Sequence, residues 1–77
     1  MSTLILYRRE SCSLCDYAED ALRGAGADGF ERVDIGWSGD LAERFGARIP
    51  VLRHVADGRE LDWPFDSHSV RRFLAAA

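Results

Sequence analysis

The spacing of apolar side chains changes repeatedly along this chain, and each change marks an element. Thr3 to Tyr7 reads Thr-Leu-Ile-Leu-Tyr. Such a nearly continuous apolar run suits a central strand buried on both faces. Arg8 to Ser11 is polar and predicts a loop. From Ser13 the period lengthens: Leu14, Ala18, Ala21 and Leu22 fall at i, i+4, i+7 and i+8, one face of a helix. Ser13 and Asp16 stand at capping-box spacing, and Asp16 favours a helix start. Gly24 and Gly26 end that helix. Phe30 to Ile35 alternates Phe, Val and Ile with Glu, Arg and Asp, the pattern of a half-buried strand.

The second half continues with shorter elements. Ser38-Gly39-Asp40 opens a short helix carrying Leu41, Ala42 and Phe45, and Gly46 stops it. Ile49 to Leu52 predicts a strand with Pro50 near its start. Asp57-Gly58 is a hairpin turn, and Glu60 to Trp63 is the returning strand. Asp66 or Ser67 caps a last helix whose apolar positions are Val70, Phe73 and Leu74. The order βαβαββα predicts an α/β fold: a mixed four-stranded sheet flanked by three helices. Its first half is a right-handed βαβ unit with parallel strands.

Composition narrows the function classes. At 77 residues and 47% hydrophobic, the chain reads as one globular domain over 1–77. A core of that size is only marginally sufficient, so the elements must pack tightly. The net charge is −3, from 13 acidic and 10 basic residues, and all the basic ones are Arg. An acidic domain lacks the excess of cations that phosphate neutralisation requires, which argues against nucleic acid as a partner. The pair Arg71-Arg72 reads as solvated surface. No run approaches the roughly 20 apolar residues of a membrane span. Met1-Ser2-Thr3-Leu4 lacks the basic and apolar regions of a signal peptide. The expected location is therefore the cytoplasm, where thiols are kept reduced. No feature calls for more than a monomer.

The candidate chemistry lies in Cys12-Ser13-Leu14-Cys15, directly after the first strand and at the start of the first helix. In a reducing compartment two cysteines at this spacing point to redox chemistry or metal binding. The thiolate is the reactive form of cysteine. Free N–H groups and the macrodipole at a helix N-terminus stabilise an anion, and Arg9 precedes Cys12 by three residues. Both effects favour a Cys12 thiolate, while Cys15, one turn on, keeps its proton. One helical turn brings the two sulfurs within bonding reach, so that Cys12 would attack a disulfide and Cys15 would resolve the mixed disulfide. A zinc site would need four ligands, and His54 and His68 are too far apart in sequence to complete the usual pattern. A cluster shared between two chains is the other metal reading.

Tyr7-Arg8-Arg9-Glu10-Ser11-Cys12-Ser13-Leu14-Cys15 resembles the opening of the glutaredoxins: a strand ending in Tyr, a basic residue three before the first Cys, then C-x-x-C. Arg48-Ile49-Pro50-Val51 resembles the second hallmark of thioredoxin-fold proteins, a cis-proline at the head of the third strand. The resemblance spans essentially the whole chain, and its best match is to small bacterial glutaredoxin-like families of unassigned role. It implies the thioredoxin/glutaredoxin fold, Cys12 as nucleophile and Cys15 as resolving thiol. Arg9 takes the place of the basic residue that holds a thiolate and a glutathione carboxylate. Pro50 is expected to be cis, to pack on the pair and to leave the Ile49 backbone free for an extended substrate.

The implied substrate-facing set is Arg9, Ser13, Leu14, Ile49, Pro50, Trp63 and Asp66. Ser13 and Leu14 replace the usual Pro and Tyr between the cysteines. Trp63-Pro64-Phe65-Asp66 replaces the Gly-Gly stretch that glutathione-binding glutaredoxins carry before the last helix. There Asp66 would cap the helix and put its own charge in the anion position. Trp63 and Phe65 read as packing beneath the last helix or as an apolar rim beside Cys12. Tyr7 and Trp37 read as structural, and His54 and His68 as surface residues. The expected activity is a dithiol–disulfide oxidoreductase acting on protein disulfides or on mixed disulfides, with no cofactor and with glutathione allowed as reductant. The alternative is a redox sensor or peptide-binding module on the same fold with little turnover.

Overall fold

A computed structural model describes residues 3–75. Its elements are β1 (Leu4–Arg8), α1 (Ser13–Gly24), β2 (Glu31–Asp34), α2 (Gly39–Phe45), β3 (Val51–His54), β4 (Glu60–Asp62) and α3 (Ser67–Ala75), with a 3₁₀ turn at Ile35–Trp37 between β2 and α2. The strands form one mixed sheet in the order β2-β1-β3-β4. β1 pairs with β2 in parallel and with β3 antiparallel, and β4 closes the hairpin with β3. The expected thioredoxin-like architecture is therefore present, with three helices and four strands.

Side-chain alternation along the strands builds two cores. Leu4 and Leu6 of β1 and Leu52 of β3 point to one face, where they pack with Ala18, Ala21 and Leu22 of α1, Val70 of α3 and Phe65. Tyr7 and Val51 point to the other face and pack with Ile35 and Phe45. The Tyr7 and Phe45 rings stack with centroids 4.1 Å apart. Each fully buried Leu, Val or Phe contributes on the order of 1.5–3 kcal/mol, and β1, serving both cores, sits at the centre of the sheet. Helix α1 approaches α3 at Gly24, where a Cβ would collide with the Ser67 side chain. The Ser67 hydroxyl instead donates to the Ala21 carbonyl at 3.0 Å.

Several boundaries differ from those the sequence predicts. Phe30 precedes β2, and Ile35 follows it, yet both are buried. The strand stops at Asp34 because that side chain accepts the Gly36 N–H at 2.7 Å and turns the chain. β3 begins at Val51 rather than Ile49, because the Ile49 N–H closes the end of α2 on the Phe45 carbonyl at 3.1 Å. Helix α1 is not capped by Ser13: Cys12 is its N-cap. Asp16 turns from the capping role to bond Arg8.

Candidate active site

The pairing register places the reactive segments together. Tyr7 lies opposite both Val33 and Val51, and Val51 lies opposite Asp62. The end of β1, the end of β2, the start of β3 and the end of β4 therefore share one end of the sheet. The loop to Cys12, the 3₁₀ turn, Pro50 and the Trp63–Asp66 segment all emerge there.

At this end Cys12 and Cys15 are joined by a disulfide with their Cα atoms 5.2 Å apart. Cys12 has extended backbone geometry as the N-cap of α1, and its Sγ accepts the Cys15 N–H at 3.1 Å. Its carbonyl accepts the Asp16 N–H at 3.1 Å. Cys12 is half-buried, whereas Cys15 is fully enclosed at 0% exposure. That asymmetry favours attack at Cys12 over Cys15. Just before the pair, Ser11 has φ of 55°, a left-handed conformation that non-glycine residues rarely adopt. The chain reverses there to enter the helix.

The other expected site residues are placed unequally. Ser13 and Leu14 are exposed beside Cys12 on the first turn of α1. Arg9 is exposed and lines an open groove of about 540 Å³ together with Glu10, Asp34, Gly36 and Trp37. Pro50 is fully buried at the head of β3, and the Ile49–Pro50 peptide is cis. The Ile49 N–H is not free as expected, since it serves the Phe45 carbonyl. Arg48 holds this approach in place through Glu60 at 2.8 Å and Asp62 at 2.6 Å. Those two hydrogen bonds raise the Arg48 pKa further.

Trp63 is half-buried against the first core and meets Phe65 edge-on at 5.2 Å, so both belong mainly to the packing beneath α3. Asp66 caps α3: its Oδ1 accepts the Ser69 N–H at 2.8 Å and the Ser69 hydroxyl at 3.0 Å. These bonds hold its carboxyl below the ordinary aspartate value.

Trp37 corrects the sequence reading. It is not a structural residue but stands 86% exposed beside the redox loop. Its isolated position in the sequence gave no periodic signal of either role. His54 also differs, being mostly enclosed at the far hairpin with Nδ1 3.2 Å from Asp57. Among the described residues no group of three His, Cys, Asp or Glu side chains is placed to hold a metal.

The sequence reading also missed Glu19. Among the described residues it is the one buried charged side chain. It accepts hydrogen bonds from Arg8, from Arg23 at 3.0 Å and from Arg32 at 2.9 Å. Burial pushes its carboxyl up, but the Arg32 and Arg8 hydrogen bonds outweigh this and leave it below the ordinary value. The signal was the position itself, four residues after Cys15 on an apolar helix face.

The family profile of the Glutaredoxin-like domain (DUF836) matches residues 3–75. The chain belongs to this glutaredoxin-like family. Among solved structures it is similar to target protein XcR50 from X. campestris. The X-ray structure of XcR50 is 49% identical, with a TM-score of 0.91 and with 96% of this chain and 97% of that one covered. The solution structure of XcR50 is 48% identical, with a TM-score of 0.89 and coverage of 97% and 95%. No curated protein matches the chain. No helix among the described residues of this glutaredoxin-like domain is long and apolar enough to cross a membrane.

Proposed function

We propose that this glutaredoxin-like protein is a dithiol–disulfide oxidoreductase that reduces protein disulfides through Cys12 and Cys15. The observation that carries the reading is the asymmetry of the pair: a half-buried cysteine at a helix N-cap, bonded to one that is fully enclosed. In the reduced protein the Cys12 thiolate attacks one sulfur of a substrate disulfide. The substrate S–S bond breaks, a Cys12–substrate mixed disulfide forms, and the departing thiolate takes up a proton. Cys15 then loses its proton and attacks the Cys12 sulfur, releasing the second substrate thiol. Two electrons pass from the dithiol to the substrate, and an external thiol reductant of the cytoplasm restores Cys12 and Cys15.

Protein disulfides are favoured over glutathione by two features. Asp66 fills the N-terminal position of α3 with its own negative charge, where a glutathione carboxylate would otherwise be held. Exposed Trp37, Leu14 and Tyr17 give apolar contact area on the segments that carry or flank the pair, of the kind protein partners use.

The test is Cys15→Ser, incubated with a disulfide-containing protein and analysed by intact mass without reductant. A stable adduct on Cys12 supports the reading. Accumulation on no residue, or equal adduct formation by Cys12→Ser, refutes it.

A further inference from the structure

Arg8 was read from the sequence as the first residue of a loop, but it is the last residue of β1. Its guanidinium reaches both flanks of the redox segment. Nη2 donates to the Arg9 carbonyl at 3.3 Å, before Cys12, and to Asp16 Oδ1 at 3.1 Å, directly after Cys15. Nη1 is held by the buried carboxylate of Glu19, one turn further along α1. The nitrogen that contacts Arg9 and Asp16 thus brackets the stretch containing both cysteines, and its partner nitrogen is fixed to the helix.

We propose that Arg8 is a positioning residue for the redox pair, setting the first turn of α1 against the loop so that Cys12 Sγ stays on the Cys15 N–H. The proposal rests on the oxidoreductase reading of the pair. The physical reason is that stabilisation of a thiolate by a helix N-terminus falls off within about one turn. Small displacements of the loop relative to the helix would move Cys12 Sγ off its N–H donor. A charge-assisted, two-nitrogen clamp resists that displacement, because a planar guanidinium fixes direction as well as distance. Arg32 and Arg23 also bond Glu19, but among the described residues neither bonds the Arg9–Asp16 segment. They neutralise the carboxylate without bracketing the pair.

The test uses the reduced protein and the second-order rate of Cys12 alkylation by iodoacetamide at about pH 6, with the modified cysteine identified by peptide mass. Arg8→Gln is expected to slow the reaction at least threefold, while Arg32→Gln stays within twofold. The deciding variant is Asp16→Ala, whose side chain is 69% exposed. Removing a negative charge near Cys12 would by relief of Coulomb repulsion favour the thiolate and speed the reaction. Loss of the bracket slows it, and a reduction of at least twofold is expected. A faster or unchanged Asp16→Ala protein overturns the proposal, as does equal slowing in Arg8→Gln and Arg32→Gln. If Cys12 of the unaltered protein is itself unreactive at this pH, the oxidoreductase reading falls and the proposal with it. If that protein reacts and the variants match it, only the proposal falls.

Discussion

The backbone N–H of Cys15 points at the sulfur of Cys12, 3.1 Å away across the first turn of α1. A cysteine thus occupies the N-cap, a position that serine, threonine, asparagine and aspartate usually hold. The same contact serves the helix and the chemistry, which makes the two roles separable. In the reduced state Cys12→Ser should keep the helix, because serine is a good N-cap, and lie within about 0.5 kcal/mol of the parent. Cys12→Ala should cost about 1 kcal/mol. Both should lose disulfide exchange completely. Thermal or urea denaturation under reductant, alongside an exchange assay, checks this.

Glu19 links pH to stability. Its carboxyl titrates below the ordinary glutamate value of 4.5 in the folded protein. A depressed folded pKa means that its contribution is fully present above the unfolded value and is lost as pH falls through the lower folded value. Glu19→Gln is expected to cost about 2 kcal/mol at neutral pH, through the loss of charged hydrogen bonds to Arg8 and Arg32. The gap between the two proteins should shrink as pH drops below about 4.5. Urea unfolding at neutral and acid pH measures it, and a constant gap would contradict the assignment.

Trp37 separates docking from folding. With 86% of its surface exposed, Trp37→Ala should change stability by no more than about 0.5 kcal/mol. An anchoring aromatic at a partner surface is worth about 2 kcal/mol or more. The expected result is a KM for a protein disulfide raised about thirtyfold, with kcat nearly unchanged. An unaltered KM would remove Trp37 from the docking surface.

Asp66 tests the choice of substrate. Asp66→Asn keeps an N-cap for α3 and removes the charge. Reduction of a glutathione mixed disulfide should then quicken severalfold, while reduction of a protein disulfide stays level. Equal rates with glutathione before and after substitution would show that Asp66 does not set this preference.

Much of this arrangement was legible in the sequence. The apolar run at Leu4–Tyr7 and the helical spacing of Ala18, Ala21 and Leu22 located β1 and α1, and with them the place of Cys12. The parallel pairing of β1 and β2 and the hairpin at Gly58 were legible too, but the antiparallel pairing of β1 with β3, which completes the strand order, was not. Features set by side-chain hydrogen bonds were not legible. The capping by Cys12 rather than Ser13 depends on where the backbone leaves its extended geometry. The end of β2 depends on Asp34 bonding Gly36. The Arg8–Glu19 contact joins residues 11 positions apart, and no local pattern announces it. Trp37 was misread because hydrophobic character alone does not say whether an aromatic side chain covers a core or faces a partner.

The measurement that bears most directly on the central claim is a redox titration of the purified protein in glutathione buffers, with thiol alkylation and intact mass as readout. The account predicts rapid, reversible formation of the Cys12–Cys15 disulfide at a potential within the cytosolic range, roughly −220 to −320 mV. A pair that stays reduced in fully oxidising glutathione, or that equilibrates only over hours, would contradict it.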